Sequence, residues 1–328
     1  MKIGIIGGGG WGTSLGLHLF RKKFEVIIWF HSKETLKIIK ETRENIYYLP
    51  GFLIPNEIEL TNNLEEVIDK TDIIFIVVPS QHVRDVLSQI NKKKIRNKNF
   101  LIASKGIEMK TGKRMSEVLE EILETKNYAI LSGPNFSKEV ALRIPTSSVV
   151  ASNDDKLSEM FQNLLTNEYF RVYTSRDSIG VELGGSLKNV LAIAAGISDG
   201  LGFGVNTKAS LITRGIKEMI RVGKKYGAKE ETFYGLSGLG DLVATSFSNL
   251  SRNRWFGEMI GRGIKPKEII SSTRQVIEGV FTSKVVYENN KDLDLPIISE
   301  VYCIIYENKE PMISVKSLMT RILKSEEN

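Results

Sequence analysis

The residue types best suited to chemistry gather in a few glycine-rich and basic clusters. Residues 182–196 read Glu182-Leu-Gly-Gly-Ser-Leu-Lys188-Asn189-Val-Leu-Ala-Ile-Ala-Ala-Gly196, which sets a lysine in a helical run of small and apolar residues. Lysine is rarely buried unless paired, so Lys188 is expected to face a cleft between domains; the alternative is an ammonium that snorkels to solvent. Burial lowers a lysine pKa and a nearby carboxylate raises it, and an amine poised between the two can serve as a general acid or base. Downstream, Gly235-Leu-Ser-Gly-Leu-Gly-Asp241-Leu-Val-Ala-Thr245 presents an acid and a hydroxyl beside flexible backbone. Ser251-Arg252-Asn253-Arg254 then opens a helix, with Ser251 or Asn253 as its N-cap. Guanidinium groups beside free helix N–H donors suit a phosphate.

A second cluster lies near the start of the chain. An apolar run, 3–6, leads into Gly7-Gly8-Gly9-Gly10-Trp11-Gly12, which contains G-x-G-x-x-G at Gly7, Gly9 and Gly12. In a dinucleotide site Gly7 permits the tight turn, Gly9 lets backbone approach the pyrophosphate, and Gly12 lets the following helix pack on the strand. A purely structural turn is the alternative. A Walker-type loop is excluded, because Gly12 is followed by Thr13 with no lysine. The second apolar run ends Trp29-Phe30-His31-Ser32-Lys33, with no acid before Glu34. NAD-specific sites usually carry an acid there for the ribose 2′-hydroxyl. His31, Ser32 and Lys33 could instead accept a 2′-phosphate, so NADP(H) is expected to be tolerated or preferred beside NAD(H). The same residues could equally cap a solvated helix.

These groups need elements to hold them. Runs 3–6, 25–30, 73–78, 100–103 and 128–131 are rich in Ile and Val and short enough for buried strands. Amphipathic stretches 11–22, 83–91 and 115–124 lie between them. Strands at 147–151 and 170–174, bracketing a helix at 156–165, extend the pattern. The alternation predicts an α/β Rossmann-like domain with a doubly wound, mostly parallel sheet. After Asp177 the helical patterns 181–197, 209–226, 253–261, 267–272, 282–289 and 299–306 predict an all-α domain. The division expected is 1–178 for the dinucleotide and 179–328 for substrate and catalysis. The tail 324–328 reads as frayed.

Composition narrows the function class. The chain has 328 residues, 41% hydrophobic and 26% charged, as in an ordinary globular protein. One cysteine, Cys303, excludes a disulfide framework and thiolate zinc clusters, and reads as a core residue. His18, His31 and His82 form no metal-ligand pair, so no metal is expected. The longest apolar runs are far below the roughly 20 residues of a membrane span. No targeting segment is evident, so a cytoplasmic protein without membrane insertion is expected. The charge of +6, from 45 basic and 39 acidic residues, permits an anionic ligand without choosing one. Nucleic acid is disfavoured: the run 91–98 reads as a solvated loop, with no recognition helix or aromatic-interleaved basic strip.

Several motifs in order along the chain carry a resemblance. They are Gly7 through Trp11-Gly12-Thr13, Ser104-Lys105-Gly106, Ser132-Gly133-Pro134-Asn135-Phe136, Leu183 through Lys188-Asn189, and Ile212-Thr213-Arg214-Gly215. Gly238-Leu-Gly-Asp241-Leu, Ser251-Arg252-Asn253-Arg254 and Glu278-Gly279 complete the set. Together they resemble the soluble bacterial NAD(P)-dependent glycerol-3-phosphate dehydrogenases over nearly the whole chain. The resemblance implies reversible reduction of dihydroxyacetone phosphate to sn-glycerol 3-phosphate, the backbone of phospholipids, and is compatible with a homodimer. It implies Lys188 as general acid/base and Lys105 as a contact to both substrate and nicotinamide. Asn189, Asp241 and Thr245 would support the reacting groups, while Arg252 and Asn253 would hold the substrate phosphate. Gly133, Asn135 and Ser251 would line the substrate site. Gly10, Trp11, His31, Ser137, Val276 and Glu278 would touch the cofactor, together with Ser32 and Arg252. The chain departs from the family pattern at Asn135 (usually Ser or Thr), Ser137 (usually Ala), Ser246 (usually Cys) and Gly10 (usually Ser). A β-hydroxyacid or 6-phosphogluconate type dehydrogenase would share the architecture, but the Arg252 stretch and the Gly238–Leu242 turn argue against it.

Overall fold

Ile and Val run almost without interruption through the short strands of the first half of the chain, so each strand has two apolar faces, which a sheet covered on both sides requires. In the computed structural model these strands form one eight-stranded sheet. The structure describes residues 1–323, 325 and 326; of the tail expected to fray, Lys324, Glu327 and Asn328 lie outside the described residues. The strands are β1 (Lys2–Ile6), β2 (Glu25–Trp29), β3 (Glu44–Asn45), β4 (Leu49–Leu53), β5 (Glu59–Thr61), β6 (Ile73–Ile76), β7 (Asn99–Ile102), β8 (Tyr128–Ser132), β9 (Thr146–Ala151) and β10 (Phe170–Ser175). The large sheet runs β10-β9-β8-β7-β6-β1-β2-β5, and β3 pairs with β4 in a separate hairpin. Every pair in the large sheet is parallel except β8 with β9.

Successive buried side chains alternate between two layers. Ile3, Ile5, Val26, Ile28, Phe75 and Leu101 pack in one apolar layer. Ile6, Ile27, Trp29, Ile74, Ile76 and Phe100 pack in the other. The strand order reverses between β1 and β6, so a crevice opens there at the carboxyl ends, where such folds bind ligands.

A helix from Ser178 to Gly200 follows β10, capped at its start by Asp177, whose side chain accepts the Gly180 N–H. It is buried from Gly180 through Ser198. Its surroundings are the helices Val205–Lys225, Asp241–Phe247, Arg252–Gly261 and Glu278–Asn289, among others. Leu187, Val190, Ile193, Met219, Phe233 and Phe256 form the core of this helical part. Among the described residues no helix is long and apolar enough to cross a membrane. Cys303 departs from expectation: it is half-buried, not core, and burial pushes its thiol up to about 11, away from reactivity.

Candidate active site

The glycine turn forms the floor of the crevice. Gly7 has φ +122°, and a Cβ there would lie 2.6 Å from the Val77 carbonyl carbon, so no other residue fits. A Cβ on Gly12 would lie 1.8 Å from the Gly7 oxygen, so Gly12 serves helix packing and does not itself line the cleft. Gly9 caps the helix Gly10–Arg21 with no side-chain bond, and its Cβ position is open space within 4 Å. The leading N–H groups of that helix are left for an anion. Behind the turn, buried Asn45 donates from Nδ2 to the Gly8 oxygen at 2.9 Å and to Thr13 Oγ1 at 2.8 Å. Sequence reading missed this brace, since nothing in Glu44-Asn45-Ile46 distinguishes it from a surface turn.

A cleft of about 890 Å³ extends from this turn to the helical part. Gly7, Gly9, Gly10, Trp11, His31, Ser32 and Ser137 line it. So do Lys105, Asn135, Lys188, Asn189, Asp241, Thr245, Ser251, Arg252, Asn253, Val276 and Glu278. Ser32 is also the N-cap of the helix Lys33–Thr42, accepting the Thr35 N–H, as the capping reading of that residue expects. Tyr48, Pro50, Pro79 and Gln275 line the cleft as well and carried no sequence signal.

The chemistry centres on Asp241, buried at the start of the helix Asp241–Phe247. Its carboxylate joins two lysines: Lys188 Nζ at 3.0 Å from Oδ1 and Lys105 Nζ at 2.8 Å from Oδ2. Lys188 also donates to Thr245 Oγ1 at 2.7 Å, and that hydroxyl donates onward to Asp241 Oδ1 at 3.1 Å. Burial brings the Lys188 ammonium down to about 8; Asp241 opposes the shift and Lys105 reinforces it. Burial alone would raise the Asp241 carboxyl, but the two ammonium groups hold it below its ordinary value. Lys105 donates further to the Gly133 oxygen and to Asn135 Oδ1, both at 2.9 Å, so its three N–H donors are engaged. Gly133, with φ +126°, thus supports Lys105 and does not itself line the cleft. Asn135 passes its other end to Ser148 Oγ at 3.0 Å.

The basic stretch divides its labour. Ser251 caps the helix Arg252–Gly261 by accepting the Arg254 N–H. Asn253 donates to Asn189 Oδ1 and accepts the Gly279 N–H, both at 2.9 Å, which ties this helix to the Lys188 helix. The exposed Arg252 side chain faces the cleft. Arg254 does not reach it: this guanidinium pairs with Asp199 at 2.7 Å and with Glu258 at 3.2 Å. Glu278 accepts the Ser80 N–H at 2.9 Å and the Ser80 hydroxyl, which closes the cleft across the two halves. Burial raises its carboxyl, with Ser80 and Arg252 pulling the other way.

A glycine-lined crevice, an amine poised between burial and a carboxylate, and an outward-facing arginine are thus joined in one cleft. Residues 2–158 match the family described as NAD-dependent glycerol-3-phosphate dehydrogenase N-terminus, and residues 177–316 match the corresponding C-terminus. The chain belongs to this dehydrogenase family. It is 45% identical to a Syntrophotalea carbinolica protein named glycerol-3-phosphate dehydrogenase [NAD(P)+], over 99% of both chains. A Thermoanaerobacter protein of the same name is 44% identical, again over 99% of each. Among solved structures, glycerol-3-phosphate dehydrogenase from Coxiella burnetii superposes with a TM-score of 0.94 at 37% identity, covering 98% of this chain and 99% of that one.

Proposed function

We propose that this member of the family reduces dihydroxyacetone phosphate reversibly to sn-glycerol 3-phosphate with NAD(P)H, feeding phospholipid synthesis in the cytoplasm. Residues 1–178 hold the dinucleotide and 179–328 supply substrate binding and the proton. The observation that carries the reading is the buried Lys188 ammonium, brought to about 8 and held by Thr245 and Asp241 within the cleft that the glycine turn opens.

The residues present fit a dinucleotide. The open space over Gly9 admits a pyrophosphate close to backbone, and the uncapped helix start offers it N–H donors. Gly10, Trp11, His31, Ser32, Ser137 and Val276 would flank the bound molecule, with Lys105, Arg252 and Glu278 toward the substrate side. When bound, the reduced nicotinamide supplies a hydride to the ketone carbon.

The chain's own residues manage charge and the proton. Two ammonium groups share one carboxylate, so the centre keeps a net positive charge where the ketone oxygen turns negative. Protonated Lys188 donates to that oxygen; in the oxidative direction neutral Lys188 takes the alcohol proton. Thr245 and Asp241 fix the Lys188 nitrogen and favour its charged form. Lys105 contributes a fixed positive charge, its donors being committed to Gly133, Asn135 and Asp241. Arg252 receives the substrate phosphate beside the capped start of its helix. Asn189, Ser251 and Asn253 keep that anchor in register with Lys188. Every named group comes from one chain, so a homodimer is compatible with the reading without being required by it.

The test is a substrate panel followed by consumption of reduced nicotinamide. Dihydroxyacetone phosphate should be strongly preferred over unphosphorylated dihydroxyacetone and over β-hydroxyacid substrates. Arg252→Ala should raise the KM for the phosphorylated ketone at least about tenfold, as the loss of a charged hydrogen bond does. Equal use of the unphosphorylated ketone by the wild type would overturn the phosphate assignment.

A further inference from the structure

Arg254 belongs to the basic stretch singled out in the sequence, yet neither it nor its partner Asp199 lines the cleft. They meet in a compact ionic cluster directly behind the Arg252 helix. Arg254 Nε lies 2.7 Å from Asp199 Oδ2, Nη1 donates to Asn249 Oδ1 at 3.0 Å, and Nη1 lies 3.2 Å from Glu258. Lys208 Nζ stands 2.6 Å from Asp199 Oδ1 and 4.8 Å from the centre of the Phe247 ring. Asp199, Lys208 and Arg254 are mostly buried, their side chains 16%, 11% and 13% exposed.

The cluster joins the last turn of the Lys188 helix, the first turn of Val205–Lys225, the loop at Asn249 and the first turn of Arg252–Gly261. An acid in the last turn of a helix opposes the helix dipole and costs stability unless cations offset it. Here two cations converge on it, and one is a near neighbour of the phosphate anchor. Burying such a group is weak evidence for stability alone and is better explained by the geometry it fixes.

We infer that Asp199 is a positioning residue for phosphate recognition. Through Arg254 it fixes the segment 247–254 and directs Arg252, alone of the two arginines, into the cleft. The inference rests on the proposed reading that Arg252 holds the substrate phosphate. Removing the Asp199 charge leaves Arg254 held only by Asn249 and Glu258, loosens the helix start, and blurs the position of Arg252. The Lys188 centre keeps its own bonds to Thr245 and Asp241.

The test compares Asp199→Asn with wild type on dihydroxyacetone phosphate and on unphosphorylated dihydroxyacetone. The KM for the phosphorylated ketone should rise about tenfold with kcat changed less than about threefold, and kcat/KM for the unphosphorylated ketone should stay within about twofold. Arg254→Gln should show the same split, and the double variant should be no worse than Arg254→Gln alone, since both act along one path. Asp199→Glu should recover part of the loss. If Asp199→Asn does not fold, Arg254→Lys reads the same effect, because lysine lacks the fork that reaches Asp199 and Asn249 together. Equal losses on both ketones, an unchanged KM, or additive losses in the double variant would overturn the inference. If Arg252→Ala itself left KM unchanged, the phosphate reading would fail; if it raised KM while Asp199→Asn did not, only the positioning role would fail.

Discussion

At the scale of single residues, the candidate site is built around one carboxylate that serves two amines. Asp241 holds Lys188 and Lys105 on its two oxygens, and Thr245 orders the hydrogen bonds around Lys188. A lysine in water, near 10.4, is too reluctant to give up its proton at neutral pH. Burial brings Lys188 to about 8, where giving and taking a proton are both accessible. Lys188→Ala should therefore lower kcat for ketone reduction at least about a hundredfold, with the folded state intact by circular dichroism. Lys188 and Arg252 stand out in the sequence because each is a charge in an otherwise small or helical context. Asn45, Ser80 and the Asp199 partner of Arg254 do not. Their contacts span 37, 198 and 55 positions of chain, and no local pattern encodes such distances.

At the scale of elements, glycine sets the distance between the helices that carry Lys188 and Arg252. Gly196 and Gly200 on the Lys188 helix face Gly257 and Gly261 on the Arg252 helix. A Cβ on Gly257 would lie 2.1 Å from the Ile193 oxygen, and one on Gly196 would lie 1.9 Å from the Arg254 oxygen. The backbones touch, which lets Asn253 reach Asn189. Gly257→Ala should force the helices apart, at about 1–3 kcal/mol of stability by urea unfolding, with kcat/KM falling more than tenfold. A drop in stability with unchanged kcat/KM would detach this packing from the chemistry. The Ile- and Val-rich strands and the long helices follow from periodicity. Glu59–Thr61 was missed because three residues carry no period, and the hairpin β3–β4 because its apolar residues alternate too briefly. The pattern 83–91 shortens to a helix Val83–Leu87, beyond which Ser88 and Gln89 bond back as turns.

At the scale of the whole molecule, the net charge says little and the join between the two halves says much. The basic run expected to be a solvated loop is partly neutralised, Lys92 pairing with Glu124 and Lys94 with Glu65 and Asp69, while Lys98 departs from the expectation by being buried against the Thr71 oxygen. The halves meet instead through buried acids. Glu182, at the head of the Lys188 motif, accepts the Ser116 N–H at 2.8 Å, its hydroxyl at 2.6 Å and Arg114 Nη1 at 3.0 Å. With Glu278 on Ser80 and Asp241 on Lys105, three carboxylates of the helical half grip the sheet half, the last two of them at the cleft. The central claim is that Lys188, in the cleft between these halves, exchanges a proton with the substrate oxygen. It is tested most directly by kcat/KM for dihydroxyacetone phosphate reduction from about pH 7 to about pH 10, which reports the free enzyme's essential acid. Reduction needs the charged amine, so the expected profile is level at low pH and falls about tenfold per unit above a break near 8. A level profile through that break, with activity intact at the alkaline end, would contradict the account.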